Sequence, residues 1–297
     1  MAIRERDPHT GHMTIGHEWN GITELNRPVP TPVWWFLGAA ALFSVVFWVL
    51  MPAWPLGDTY TRGLLGVDQR TTVVQKLAEA EQQQAGWRRR IAAADFAEIE
   101  ADEALMRVVR GAGSALFGDN CSACHGAAGR GGPGYPSLVD DAWLWGGAPE
   151  SIAETLRVGV NAPHPDTRVS EMPAFGHDQI LDREAILQVA AYVRSLAEPV
   201  SAAASHSQAV AAGKEIFAAN CAACHGDNGQ GNSDAGAPNL SDSFWLYGGD
   251  PQTVFRTIFY GRKGHMPAWE HRLAELERKI LALYIRDLRS WPEGARR

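Results

Sequence analysis

Asn120-Cys121-Ser122-Ala123-Cys124-His125-Gly126 and, 100 positions later, Asn220-Cys221-Ala222-Ala223-Cys224-His225-Gly226 decide how this chain of 297 residues is read. Cys-x-x-Cys-His is the attachment spacing of c-type haem. Cysteines three apart place both sulfurs on one turn of chain, where they can form thioethers to a porphyrin edge, and the next histidine falls under the iron. Cys121, Cys124, Cys221 and Cys224 are therefore the expected attachment points of two covalently bound haem c groups, with His125 and His225 as proximal iron ligands. Zinc is the competing use of paired Cys-x-x-Cys motifs. A zinc ribbon does not require a histidine after each second cysteine, and it does not hold its pairs 100 residues apart. All four cysteines lie inside the two phrases, so none is left for structural disulfides.

The surroundings of the phrases repeat too. Gly113-Ser-Ala-Leu-Phe117 leads into the first, and Gly131-Gly132-Pro133, Trp143-Leu144-Trp145-Gly146-Gly147 and Met172-Pro173-Ala174-Phe175 follow it. Gly213-Lys-Glu-Ile-Phe217 leads into the second, followed by Gly229-Gln230-Gly231, Trp245-Leu246-Tyr247-Gly248-Gly249 and Met266-Pro267-Ala268-Trp269. Amphipathic helices are expected at 183–196 and 273–288, closing the two copies. This order of helix, haem phrase, Gly-rich loop, short helix, Met-Pro loop and final helix resembles the class I cytochrome c domain. The expected fold is mostly α: one N-terminal transmembrane helix followed by two tandem class I cytochrome c domains, at 108–199 and 209–292, with an Ala- and Ser-rich linker at 200–208. Copies this short have little core of their own, and a covalently held haem supplies an apolar centre.

Sixth ligands are expected at Met172, 48 positions after Cys124, and Met266, 42 after Cys224, each serving the haem phrase that precedes it. A thioether ligand raises a haem's potential, and the proline after each methionine stiffens its loop. A single methionine reads as a core gap-filler; two at equivalent repeat positions read as ligands. The first domain has an alternative, because His164 and His177 flank Met172 and either would make a bis-histidine haem of lower potential. His265, beside Met266, is a similar alternative in the second. Trp143, Trp145, Trp245 and Tyr247 are expected to pack on haem edges or to donate to propionates, unless they are ordinary core.

Residues 1–32 are polar and contain several prolines, and they read as an extended tail. Residues 33–51 form an uncharged apolar run, which as a helix at ~1.5 Å per residue spans ~28 Å, close to the ~30 Å hydrocarbon layer of a bilayer. Trp34, Trp35 and Trp54 frame the run like an aromatic belt. The run starts too late and is too long for a signal peptide, and Pro52-Ala53-Trp54-Pro55 follows where a cleavage site would stand, so 33–54 is expected to be an uncleaved anchor. Flanking charges (Arg27 against Arg62 and Arg70) do not set an orientation. Haem attachment is completed on the periplasmic side of bacterial membranes, so the haem domains are expected there, with the 1–32 tail cytoplasmic. Residues 55–107 are expected to be a helical connector, with Val73, Val74, Leu77 and Ala80 on one stripe and Trp87, Ile91 and Ala94 continuing it.

A formal net charge of -7 makes nucleic acid an unsuitable partner. The chain carries no Ser/His/Asp set and no phosphate loop, and iron ligated on both faces leaves no open position for a substrate. Electron transfer is therefore expected over catalysis. The alternatives are a dihaem peroxidase-like enzyme in which one haem loses its sixth ligand, and a membrane-tethered cytochrome serving a dehydrogenase.

With a tail containing His17-Glu18-Trp19-Asn20-Gly21-Ile22 and Glu24-Leu25-Asn26, one anchor, a helical connector and two Cys-x-x-Cys-His domains, the chain resembles the CcoP/FixP family, the dihaem subunits of cbb3-type cytochrome c oxidases. The resemblance covers essentially the whole chain, and the tail and anchor distinguish it from other dihaem cytochromes. It implies a bacterial inner-membrane subunit that passes electrons from a donor cytochrome c toward a monohaem subunit and a haem–copper subunit. No catalytic centre is expected in this chain alone; oxygen reduction and proton pumping belong to the complex.

Overall fold

A computed structural model describes residues 5–197 and 208–291. All but the last residue of the expected linker at 200–208 lies outside the described residues. The chain divides into two compact units, one ending at Gln83 and the other beginning at Gln84.

The N-terminal unit departs from the expected extended tail. β1 (Thr14–Trp19) and β2 (Ile22–Leu25) form an antiparallel hairpin in which Trp19 pairs with Ile22. Asn20 (φ 50°) and Gly21 (φ 87°) make the turn, and two successive positive φ values are what a type I′ hairpin requires. Asn-Gly between two short runs was therefore a legible hairpin signal. The Thr14 side chain is buried, and its hydroxyl accepts a hydrogen bond from Glu5 N.

α1 (Thr31–Leu50) follows, with Pro32 in its first turn, where a missing N–H costs nothing. Its 20 residues span ~30 Å, and none is buried against the rest of the chain, as a helix meant for lipid requires. A small hairpin of β3 (Pro55–Leu56) and β4 (Thr59–Tyr60) precedes α2 (Gln69–Ala93), which runs through Gly86 without a break. The predicted stripe on α2 splits in two. Val73, Val74 and Leu77 are exposed, whereas Ile91 is fully buried and Trp87 packs beside it. The connector then breaks twice, at Asp95 and Asp102, each a helix N-cap. Asp95 and Glu98 form a reciprocal capping box for α3 (Phe96–Ala101), and Asp102 accepts from Ala104 N and Leu105 N at the start of α4 (Glu103–Asn120).

The second unit holds two cores, and neither belongs to a single sequence repeat. The first joins α4 and α6 (Pro149–Val158) of repeat one to α11 (Glu275–Leu288) of repeat two, through Phe117, Ile152, Leu156, Leu281 and Ile285. The second joins α8 (Gln208–Asn220) and α10 (Pro251–Tyr260) of repeat two to α7 (Arg183–Ala197) of repeat one, through Ile186, Val189, Phe217, Val254 and Ile258. The copies have exchanged final helices. Domains expected at 108–199 and 209–292 mark the sequence repeats, while each packed core draws on both.

Close helix contacts carry the exchange. Gly113 of α4 lies where an added Cβ would stand 2.5 Å from Tyr284 Cβ of α11, and Gly213 of α8 where it would stand 2.1 Å from Gln188 O of α7. Only glycine allows either approach. Phe117 and Tyr284 rings sit 5.7 Å apart in one core and Tyr192 and Phe217 5.3 Å apart in the other. Arg286 of α11 donates to Gly147 O, and Arg194 of α7 donates to Gly249 O, so each exchanged helix also ties down the Gly-Gly turn of the other repeat. Chain connection favours the arrangement. Ten residues separate α7 from α8, and consecutive elements joined by a short segment tend to pack side by side.

Candidate haem sites

Each haem phrase folds the same way. α4 ends at Asn120, and the short helix α5 (Ser122–His125) turns His125 inward; in repeat two, α9 (Ala222–His225) does the same for His225. His125 Nδ1 lies 2.9 Å from Pro136 O and His225 Nδ1 3.0 Å from Pro238 O. A carbonyl only accepts, so Nδ1 carries the proton in both rings and Nε2 is left with its lone pair free for a metal, the usual outer-shell device for a ligating histidine. Burial pushes both imidazoles toward the neutral form. It also pushes the Cys121 and Cys221 thiols up to about 11, so both are uncharged sulfurs in an apolar wall.

The sixth-ligand candidates are crossed relative to the expected order. Met266, not Met172, lines the cleft that holds Cys121 and His125, together with Trp143, Leu156 and Ile285. Met172 packs with Cys221, Trp245 and Phe217 in the second core. Pairing of each methionine with the phrase that precedes it is thereby corrected. Backbone pairing explains the crossing. Val160, just after α6, exchanges two hydrogen bonds of 2.9 Å with Met266, and Arg262, just after α10, exchanges bonds of 2.8 and 3.1 Å with Met172. Gly159 and Gly261 precede these positions with φ of 68° each, and a Cβ there would stand 2.4 Å from Met266 O and 2.3 Å from Met172 O. Each methionine loop is zipped onto the other repeat beside a glycine that admits it.

His164 and His177 do not line the cleft that holds the first haem phrase. The His164 side chain is 5% exposed, with Nε2 2.8 Å from Glu270 Oε2 and Nδ1 accepting from Asp166 N, so both ring nitrogens are engaged. His177 is exposed, with Nδ1 on the Asp178 carboxylate. His265 lines the first cleft but is exposed.

The first cleft encloses about 1060 Å³ of space, mouth included. Its walls are chiefly apolar, and Trp143 Nε1 is buried there without a hydrogen-bond partner. An orphaned N–H in an apolar cleft is costly unless a ligand acceptor meets it, and a haem propionate is such an acceptor. The residues therefore fit a haem, with Trp145 and Tyr247 lining the cleft beside Trp143. Cys121 and Cys221 lie in different cores, and among the described residues no group of three His, Cys, Asp or Glu side chains could hold a metal ion. A shared zinc site has no structural basis.

Comparison with known proteins agrees in outline. Residues 11–58 match the family described as the N-terminal domain of cytochrome oxidase-cbb3, FixP; residues 111–197 match cytochrome c; residues 208–285 match cytochrome c oxidase, cbb3-type, subunit III. The chain is 44% identical over 286 residues to a cbb3-type cytochrome c oxidase subunit FixP of Bradyrhizobium sp. (strain ORS 278), covering 96% of this chain and 97% of that one. It is 44% identical over 297 residues to the subunit CcoP of Azospirillum brasilense, covering 97% and 99%, and 42% identical over 277 residues to the CcoP of Cereibacter sphaeroides, covering 93% and 94%.

Proposed function

The chain belongs to the FixP/CcoP family of cbb3-type cytochrome c oxidase subunits, and from that membership we propose that it is the oxidase's dihaem electron relay. Haem c, when bound, supplies the one-electron couple. Cys121 and Cys124 would hold one haem and Cys221 and Cys224 the other. In the first site His125 Nε2 and Met266 Sδ would hold the iron, and in the second His225 Nε2 and Met172 Sδ. Pro136 and Pro238 carbonyls orient the imidazoles, Pro173 and Pro267 stiffen the methionine loops, and Trp143 N–H meets a propionate. The surrounding apolar clusters exclude water from both sites.

The observation that carries this reading is the convergence of Cys121, His125 and Met266 on one largely apolar cleft. A methionine held in that cleft by backbone pairing would leave the iron no open position, which favours a relay over a peroxidase. The chain is proposed to cross a bacterial inner membrane once through α1, with its N-terminus cytoplasmic and the haem domains periplasmic. Electrons would come from a donor cytochrome c and leave through a monohaem subunit to the haem–copper subunit.

Spectroscopy of the purified oxidase tests the proposal. Both haems of this chain should be low-spin in the ferric state, be reduced by donor cytochrome c, and be reoxidised when oxygen is admitted. A high-spin haem that reacts with peroxide would overturn the relay.

A further inference from the structure

The two methionine loops share Met-Pro-Ala-aromatic and differ at the next residue, which is Glu270 after Met266 and Gly176 after Met172. The difference continues in what faces them. Two residues before the glycine that admits each loop stands Arg157 in the first site and Phe259 in the second.

In the first site these residues form a polar knot. Glu270 Oε1 lies 3.2 Å from Arg157 Nη1, and Glu270 Oε2 lies 2.8 Å from His164 Nε2. Arg157 is itself fixed by Glu154, at 2.9 Å through both Nε and Nη2, and by Asp166 at 3.0 Å. His164 Nδ1 accepts from Asp166 N, which leaves the ring proton on Nε2, the nitrogen that faces Glu270. Arg157 and His164 belong to repeat one, whereas Glu270 comes from repeat two on the loop that carries Met266. Trp269 N and Glu270 N also bond Leu156 O and Arg157 O along the same edge. The knot is thus a side-chain strap across the seam where the Met266 loop joins the other repeat.

The second seam differs: its ion pair, Lys263 Nζ to Glu171 Oε2 at 2.8 Å, is exposed on both sides and lies before Met172, and at the place equivalent to Arg157 stands Phe259. A Cβ on Gly176 would stand 2.2 Å from the Phe259 ring, so the ring lies directly on the loop backbone, and Phe259 O accepts from Gly176 N and His177 N. An aromatic lid stands where the first site has Arg157 against Glu270.

We propose that Glu270, gripped by Arg157 and His164, is a positioning residue that holds Met266 in the first haem site, and that the Met172 loop is held independently by Phe259. The inference rests on the reading of Met266 and Met172 as iron ligands. Loosening the strap makes the sixth position of the first haem easier for an added ligand to take, while the second haem keeps its resistance.

The test is an imidazole titration of the ferric oxidase complex, followed by loss of the methionine-to-iron charge-transfer absorbance. In Glu270→Ala, the part of that absorbance due to one haem should disappear at about tenfold lower imidazole, the size expected when a hydrogen bond to a charged group is removed, with the other part unmoved. The same haem's midpoint potential should fall. Arg157→Lys, which keeps the charge but not the fork, should shift the same haem in the same direction if Glu270→Ala does not assemble. Titrations matching the wild type in both variants, or both haems shifting together, would overturn the strap. Met266→Leu separates this from the ligand reading: an undiminished absorbance sinks the ligand assignment, whereas its partial loss alongside a wild-type Glu270→Ala titration sinks the strap alone.

Discussion

The two halves of the haem unit come from one repeated sequence and use one exchange, yet their seams differ in hardness. At the helix crossings, Gly113 faces the Tyr284 side chain, whereas Gly213 faces the Gln188 backbone carbonyl. The nearest Tyr284 atom is Cβ, which its helix backbone fixes as firmly as a carbonyl, and an added Cβ would stand 2.5 Å from it against 2.1 Å from the Gln188 oxygen. At the methionine loops, the first half relies on partly solvated charges around Arg157 and the second on the Phe259 ring. The first half is therefore closed chiefly by interactions that solvent and pH can weaken, and the second by the Phe259 ring together with an exposed Lys263–Glu171 pair that adds little. Repetition fixed the topology of both seams and left their chemistry free to diverge.

The sharpest way to break this comparison is to leave one haem at a time. A Cys121→Ala/Cys124→Ala chain should lose covalent haem at the first phrase, leaving a single haem stain. In that background Met172→Leu should produce a large fall in the remaining haem's potential and Met266→Leu almost none. The reverse result, with Met266 controlling the second haem, would return each methionine to its own repeat and dissolve the exchange.

A smaller effect should separate the crossings. Overpacking a tight contact costs about 1–3 kcal/mol. Gly213→Ala should sit at or above the top of that range because its Cβ would stand 2.1 Å from Gln188 O, and Gly113→Ala somewhat lower, at 2.5 Å from Tyr284 Cβ. Thermal unfolding of the two holo variants measures the order; equal losses would mean that both crossings relax alike.

The smallest effect is a pH response confined to the first half. Donation from His164 and then Arg157 holds the Glu270 carboxyl below the usual carboxylate range. A group whose folded pKa is depressed adds stability above its unfolded pKa and loses it as pH falls through the folded value. The stability gap between wild type and Glu270→Gln should therefore be constant near neutral pH and close on acidification below the ordinary glutamate range. Because the carboxylate is partly in water, the gap should be modest. A gap that widens toward acid would contradict the sign.

Much of this was legible in the sequence because the information was local. Cys-x-x-Cys-His within five residues, an uncharged run long enough to cross a bilayer, and helix stripes around Phe117 and Phe217 each depend on neighbours along the chain. Other local signals were present but carry less weight on their own. Asn20-Gly21 encodes the N-terminal hairpin, Asp95 and Asp102 mark where the connector breaks, and Pro136 and Pro238 recur after the haem phrases as the carbonyls that orient the histidines.

His164 shows the limit of such reading. A histidine near a methionine loop looks like a spare ligand until Glu270, 106 positions away, takes its Nε2. By itself the sequence determined which residues can bind haem, because attachment spacing and helix periodicity are properties of a few consecutive residues. Only the tertiary structure decided which methionine shares a cleft or core with which haem phrase. Two repeats offer every final helix two nearly equivalent docking faces, and the choice between them rests on contacts such as Gly213 against Gln188 and Gly159 against Met266, made between residues far apart in the chain.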